Sequence, residues 1–106
     1  MKSRVTDNRD ICLLCGGRAV CDHHLIFGTS GRKFADKYGL FIPICAKCHT
    51  ASVHTQDRIH DNSIAEKLSK MLGQAIWERD RALEGMTDLD EIKQRFTKEN
   101  GGGYYG

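Results

Sequence analysis

Cysteines with the spacing of metal ligands stand out in the first half of this 106-residue chain. Two Cys-x-x-Cys pairs, Cys12/Cys15 and Cys45/Cys48, lie about thirty residues apart. Thiolates at this spacing converge on a tetrahedral Zn²⁺ ion, because each pair directs both of its sulfur atoms into one turn. A site of four thiolates leaves no open position for water or substrate, so the sequence predicts a structural zinc.

Disulfides and a redox-active pair are the alternatives to zinc. Disulfides are disfavoured because the chain has an odd number of cysteines, five, and no apparent secretory signal. A thioredoxin-like pair would not require a second matched pair. The remaining cysteine, Cys21, falls in a predicted strand and is interpreted as a buried structural thiol.

Histidines form a second group between and after the cysteine pairs. His23 and His24 follow Asp22, His49 directly follows the second pair, and His54 comes five residues later. A neutral imidazole near pH 7 can take a proton from water, and imidazole nitrogens also bind divalent cations. Both properties suit the hydrolysis of a phosphodiester bond, in which a cation stabilises the charge that develops on phosphorus and on the leaving oxygen.

The order Cys-x-x-Cys, Asp-His-His-Leu, Cys-x-x-Cys-His resembles the HNH endonucleases (His-Me finger, ββα-metal), in particular small phage and prophage members. The resemblance covers residues 12–54. It implies a β-hairpin followed by a helix, with one catalytic divalent metal between them. It also implies metal-dependent hydrolysis of DNA by a one-metal mechanism with a histidine general base.

Residue roles follow from this resemblance. His24 is the expected general base, and His23 and His49 are the expected ligands of the catalytic metal. A slip of one residue would instead make Asp22 the ligand and His23 the base. The expected metal is Mg²⁺ or another divalent cation such as Mn²⁺, Ni²⁺ or Zn²⁺.

His54 and His60 carry weaker expectations. His54 becomes a third metal ligand only if the helix ends or bulges, because residues five apart on a straight helix lie about 140° from one another. Otherwise His54 contacts the scissile phosphate or is an ordinary exposed histidine. For His60 we expect no role at the site.

The middle Asn of the HNH pattern is absent, and Tyr38-Gly39-Leu40 occupies its neighbourhood. In the family this Asn ties the hairpin loop in place and orients the base. Either Asp36 or Tyr38 must supply those hydrogen bonds, or the loop is organised differently.

Basic side chains near the histidines are the expected DNA contacts. Arg18, Arg32 and Lys33 could pair with backbone phosphates, although each could equally be a solvated surface charge. The net charge is only +2, but residues 1–60 hold nine Lys and Arg against five Asp and Glu. The resemblance adds phage or recombination proteins as partners and leaves the oligomeric state open.

Two other functions compete with the nuclease. One is a catalytically silent zinc module that binds DNA or protein, and the other is a redox or metal-handling protein. A silent module needs only the four cysteines, so the His-His pair and the Cys-His junction favour the nuclease. The missing Asn is the main argument for a silent module.

The elements that must position these residues indicate an α+β fold. Residues 19–24 and 40–44 are predicted strands, joined by a long loop through residues 28–33. A short helix should carry His49, and C-terminal helices should follow over residues 63–83 and from residues 87–90 onward. The longest helix has apolar residues at helical intervals that we expect in the core, as we do Trp77 and Met71: Ile64, Leu68, Leu72, Ala75, Ile76 and Leu83.

One domain over residues 1–100 accommodates this pattern, with a zinc and catalytic part at about 9–60 and a helical part at about 61–99. Residues 101–106 are predicted to form a flexible tail. The longest apolar run, residues 40–46, is too short to span a membrane. The charged first ten residues do not resemble a secretory signal, so we expect a cytoplasmic protein, in a bacterial host cell if the gene belongs to a phage or prophage.

Overall fold

A two-stranded sheet and three α-helices form the α+β fold of the computed structural model, which describes residues 2–105. Met1 and Gly106, at the ends of the predicted domain and tail, lie outside the described residues. The regular elements are β1 (Cys21–His24), α1 (Thr29–Tyr38), β2 (Phe41–Ile44), α2 (Ser63–Leu83) and α3 (Leu89–Asn100). A π-helical turn, Lys47–Ala51, and two 3₁₀ turns, Thr55–Asp57 and Ile59–Asp61, connect β2 to α2.

The two strands pair antiparallel, with Cys21 opposite Ile44 and His24 opposite Phe41. Both predicted strands are confirmed, with slightly shorter bounds. Strand β2 is buried along its whole length, so it supplies the apolar support beneath the histidines of β1.

Helix α1 corrects the prediction of a loop through residues 28–33. It begins after Gly28 and ends at Gly39, whose φ of +71° is the left-handed cap that glycine adopts without strain. Phe34 and Ala35 hold it against the core. The loop prediction was wrong because Gly28 precedes a helix rather than a turn, and Gly31 lies within that helix as a buried residue.

Helix α2 has the bounds that the sequence predicts. The side chain of Asn62 caps it by accepting hydrogen bonds from the backbone N–H groups of Ile64 and Ala65, both at 3.1 Å. At Gly73 a Cβ atom would lie 2.9 Å from a side-chain carbon of Ile26. The absence of a side chain therefore lets α2 approach the end of β1 closely.

Most of the apolar stripe of α2 is not in the core, contrary to expectation; of its six residues, only the partly buried Ile76 packs against the core. Ile64 and Leu68 are 71% and 58% exposed, whereas Trp77 is fully buried as predicted. The helix faces the core with Ser69, Gly73 and Trp77 instead. Four other predicted core residues are also partly or largely exposed: Met71, Leu72, Ala75 and Leu83. Neither α2 nor any other helix within residues 2–105 is long and apolar enough to cross a membrane.

Helix α3 packs against the core and is capped by Asp88. Phe96 is fully buried and Ile92 nearly so. The chain then returns to α2, where the Tyr104 hydroxyl donates to Glu78 at 2.6 Å. Residues 101–105, predicted as tail, thus make contacts in this structure.

Candidate functional site

Four cysteines lie close together and could hold a metal such as zinc. The sulfur atoms of this cysteine cluster all lie within 4.8 Å of one another, and its members are Cys12, Cys15, Cys45 and Cys48. The Sγ atoms of Cys15 and Cys45 are 3.5 Å apart. All the cysteines are free thiols, so the pairs meet without a disulfide.

Local turns present the cluster sulfurs. The Gly16 N–H donates to the Cys12 carbonyl at 2.9 Å, which closes the first turn. In the second, the Cys48 N–H points at the Cys45 sulfur, 3.4 Å away. Burial opposes ionisation of Cys12, but backbone hydrogen bonds from Cys45 and Cys15, among others, outweigh it and lower the pKa of this thiol to about 6. Thiolate formation, which metal binding requires, is thereby favoured at Cys12, whereas burial and contacts with the neighbouring thiols raise the pKa of Cys48.

Three histidines form a second group, the histidine cluster: His23, His49 and His60. A ligand nitrogen from each lies within 4.8 Å of the other two. The ring centroids of His49 and His60 are 4.7 Å apart, and that of His23 lies 5.5 Å and 4.9 Å from them. Three imidazoles at these distances can share one cation.

His23 is the most buried member, with 1% of its surface exposed. Its Nε2 atom lies 2.8 Å from the Ser69 hydroxyl, and its Nδ1 atom is buried without a hydrogen-bond partner. Burial, together with repulsion by the charged forms of His60 and His49, lowers the pKa of His23 to about 3. The ring therefore stays neutral, as a metal ligand must.

The other two rings are each contacted at Nδ1. The Cys21 sulfur lies 3.7 Å from Nδ1 of His49, and a Glu66 carboxylate oxygen lies 3.2 Å from Nδ1 of His60. Burial lowers the pKa of His49 as well. Cys21 is exposed, which corrects the interpretation of a buried thiol: it is the first residue of β1, and the strand becomes buried only at His23.

His60, for which the sequence suggested no role, joins the group, whereas His54 does not. His54 is exposed and precedes the 3₁₀ turn Thr55–Asp57. Arg58 folds the connecting segment back by donating to the Ser52 carbonyl. No spacing motif indicates a role for His60. The only sequence signal is its position just before the cap of α2.

His24 lies beside the histidine cluster rather than in it. Its Nε2 atom is 2.7 Å from a carboxylate oxygen of Asp36 on α1. A cleft of about 610 Å³ opens at this point. The residues that line it are Asp22, His24, Phe27, Gly28, Thr29, Arg32, His49 and His60.

The remaining sequence candidates occupy different places. Asp22 pairs with Arg9 at the edge of the cleft. Arg32 lines the cleft from α1. Lys33 is exposed on the same helix, and Arg18 is exposed next to the cysteine cluster. Of the three predicted DNA contacts, only Arg32 is part of the cleft.

Comparison with known proteins identifies no relative of this chain. No protein-family model matches the chain, and no curated protein or solved structure matches it significantly.

Proposed function

We propose that this protein is a metal-dependent DNA endonuclease of the HNH type, with one catalytic cation in the histidine cluster. The observation that carries the proposal is the shared cleft. His49 and His60 line it together with His24, whose ring is bonded to Asp36. A cation site and a candidate base thus face the same space, as hydrolysis of a phosphodiester bond requires.

The histidine cluster fits a divalent cation on two grounds. The Nδ1 atom of His23 is a buried polar atom without a partner, which proteins rarely tolerate unless a ligand satisfies it. Three neutral nitrogen donors also match Zn²⁺, Ni²⁺ or Mn²⁺ better than Mg²⁺, which would need oxygen atoms from water and phosphate. Such a cation would supply positive charge next to the scissile phosphate.

His24 is the proposed general base, in preference to His23. Because Asp36 occupies Nε2 of His24, Nδ1 is the nitrogen left to accept a proton from water. The carboxylate also stabilises the imidazolium that results. Asp36 would thus do the work of the missing Asn. His23 is buried and bonded to Ser69, so it has no path to a water in the cleft.

DNA is the proposed substrate because the cleft offers groups that bind phosphate. Arg32 can pair with a backbone phosphate. The N-terminus of α1 opens into the cleft at Gly28 and Thr29, and no side chain caps it. Its free N–H groups therefore favour an anion there.

The cysteine cluster is proposed to hold a structural zinc. Four thiolates leave no open coordination position, so this ion would not take part in the reaction. It would instead join the segment before β1 to the segment after β2. Cys12 packs there with Ile44 and Ile59 in a core of only three buried residues, which is too small to hold these segments alone.

Plasmid cleavage tests the proposal directly. Purified, zinc-loaded protein should nick or cut plasmid DNA when Mn²⁺, Ni²⁺ or Mg²⁺ is added, and EDTA should stop the reaction. Absence of cleavage on duplex, single-stranded and branched DNA with each of these metals would refute catalysis. A gel shift without cleavage would then favour the silent DNA-binding module.

His60→Ala distinguishes two ligand sets: the histidine cluster of the structure, which includes His60, and the set predicted from the sequence, which includes His54. We expect it to weaken binding of Ni²⁺ to zinc-loaded protein by about a hundredfold or more, since loss of even an outer-shell partner costs about 10- to 100-fold. His54→Ala should leave this affinity unchanged, because His54 is exposed outside the cluster. Isothermal titration calorimetry measures both. The reverse ranking would return His54 to the ligand set.

A further inference from the structure

A buried hydroxyl on α2 contacts the histidine cluster. Ser69 is 6% exposed, and its Oγ atom lies 2.8 Å from Nε2 of His23. The same hydroxyl donates to the backbone carbonyl of Leu25 at 2.7 Å. Ser69 is remote in sequence from the cysteine pairs and from the His-His motif, so neither motif assigns it a role.

The two contacts of Ser69 determine which nitrogen of His23 carries the hydrogen. A serine hydroxyl has one hydrogen, and a carbonyl oxygen can only accept. The Ser69 hydrogen is therefore committed to Leu25, and the hydroxyl can only accept from His23. It follows that the hydrogen of the neutral His23 ring is on Nε2.

The lone pair of His23 is consequently on Nδ1. This atom is buried and has no hydrogen-bond partner, although His49 and His60 lie next to the ring. An unmet acceptor in the interior costs free energy, and a cation among the three rings would remove that cost. Ser69 thus leaves His23 ready to bind a metal through Nδ1.

Glu66, one turn earlier on α2, acts on His60 in the same way. Its carboxylate accepts from Nδ1 of His60, 3.2 Å away, which in the neutral ring leaves the lone pair on Nε2. A carboxylate behind a ligating histidine also raises the basicity of the ligand.

We propose that Ser69 is a positioning residue that presets His23 as an Nδ1 metal ligand, and that Glu66 presets His60 as an Nε2 ligand. The first turns of α2 then determine how tightly the histidine cluster binds its cation. The inference rests on the proposed cation site, but it concerns nitrogen atoms and affinity rather than DNA cleavage.

Nitrogen NMR of the wild-type protein shows which ring nitrogen of His23 carries the hydrogen. Long-range ¹H–¹⁵N correlation of the full, zinc-loaded chain should show His23 with its hydrogen on Nε2 before further metal is added. A second equivalent of Zn²⁺ should then shift Nδ1 of His23 and Nε2 of His60. Hydrogen on Nδ1 of His23, or a metal-induced shift at its Nε2, would overturn the proposal.

Three serine variants test the effect on affinity. Ser69→Ala should weaken binding of the second Zn²⁺ by about 10- to 100-fold, as loss of an outer-shell partner typically does. Ser69→Thr keeps the hydroxyl and should restore most of the affinity. Ser63→Ala, an exposed serine on the same helix, should bind as the wild type does. Equal affinity in Ser69→Ala and Ser63→Ala would contradict the proposal.

Two further measurements distinguish a variant that has lost its fold from one that has lost only metal affinity. The zinc content of the cysteine cluster and the thermal unfolding of each variant show whether it is folded. If neither Ser69 variant folds, the wild-type NMR measurement decides. Binding of the second Zn²⁺ at the expected nitrogens without DNA cleavage would uphold this inference and refute the nuclease. Failure of the second Zn²⁺ to bind would refute the inference.

Discussion

His24→Ala is expected to lower the rate of DNA cleavage by about 10²- to 10⁴-fold, the usual contribution of a general base. The substitution removes the one histidine lining the cleft that lies outside the histidine cluster, together with its hydrogen bond to Asp36. Single-turnover nicking of a supercoiled plasmid at saturating Mn²⁺ measures the loss. Wild-type rates in His24→Ala would eliminate His24 as the base.

Controls for this prediction use the two groups around His24. Because His24 is not part of the histidine cluster, the affinity of the variant for Ni²⁺ should equal that of the wild type. Asp36→Asn keeps a hydrogen-bonding side chain but loses the negative charge, so we expect an intermediate rate. A rate in Asp36→Asn equal to that of the wild type would show that Asp36 does not assist the base.

The parts of the fold that depend on local patterns were predictable from the sequence. The helical periodicity of residues 63–83 gave the bounds of α2 correctly, although the cap is Asn62 rather than Ser63, and the apolar run at residues 40–44 gave β2. The cysteine cluster was predictable for a similar reason, because Cys-x-x-Cys spacing is itself a local geometry.

Helix α1 shows where local patterns fail. Its first turn, Thr29-Ser30-Gly31, has low helix propensity, and the apolar residues Phe34 and Ala35 come later. Packing of Phe34 against Trp77 and Phe96 holds the segment as a helix. The candidate site depends on this helix as well, because Asp36 lies on α1 and contacts His24.

The outward stripe of α2 shows a different limit. Periodicity shows that a helix has an apolar face, but α2 has two faces that could pack against the core. The buried face was marked by Trp77 and by the small residues Ser69 and Gly73, which a hydrophobic pattern does not count. The same face carries the Ser69 hydroxyl that contacts His23, so a hydrophobic pattern does not indicate that contact either.

His60 could not be chosen over His54 from spacing alone. The segment between the π-helical turn and α2 has no regular repeat, and hydrogen bonds that the sequence does not display determine its path. Arg58 donates to the Ser52 carbonyl, and Asn62 donates to that of Gln56. Such contacts bring His60 back to the sheet and leave His54 outside.

Cys12→Ser is expected to release zinc and unfold the segments around the cysteine cluster. Binding of a structural zinc contributes about 10–16 kcal/mol in small zinc domains, which is comparable to the whole stability of a typical protein, about 5–15 kcal/mol. Cys12 is 1% exposed and forms part of the small core with Ile44 and Ile59. A hydroxyl there would lose the metal bond and also bury a polar group.

Zinc content by atomic absorption and unfolding followed by circular dichroism measure this effect. Wild-type protein should contain at least one zinc per chain that resists mild chelation, and Cys12→Ser should lose it together with cooperative unfolding. Cys21→Ser is the matched control, because Cys21 is exposed and outside the cysteine cluster; it should retain this zinc. If Cys12→Ser kept both zinc and stability, the cluster would not stabilise the fold. Because β1 and β2 lie between the two cysteine pairs, unfolding there would also separate His23 from His49, so loss of cleavage in Cys12→Ser would follow from lost structure rather than lost chemistry.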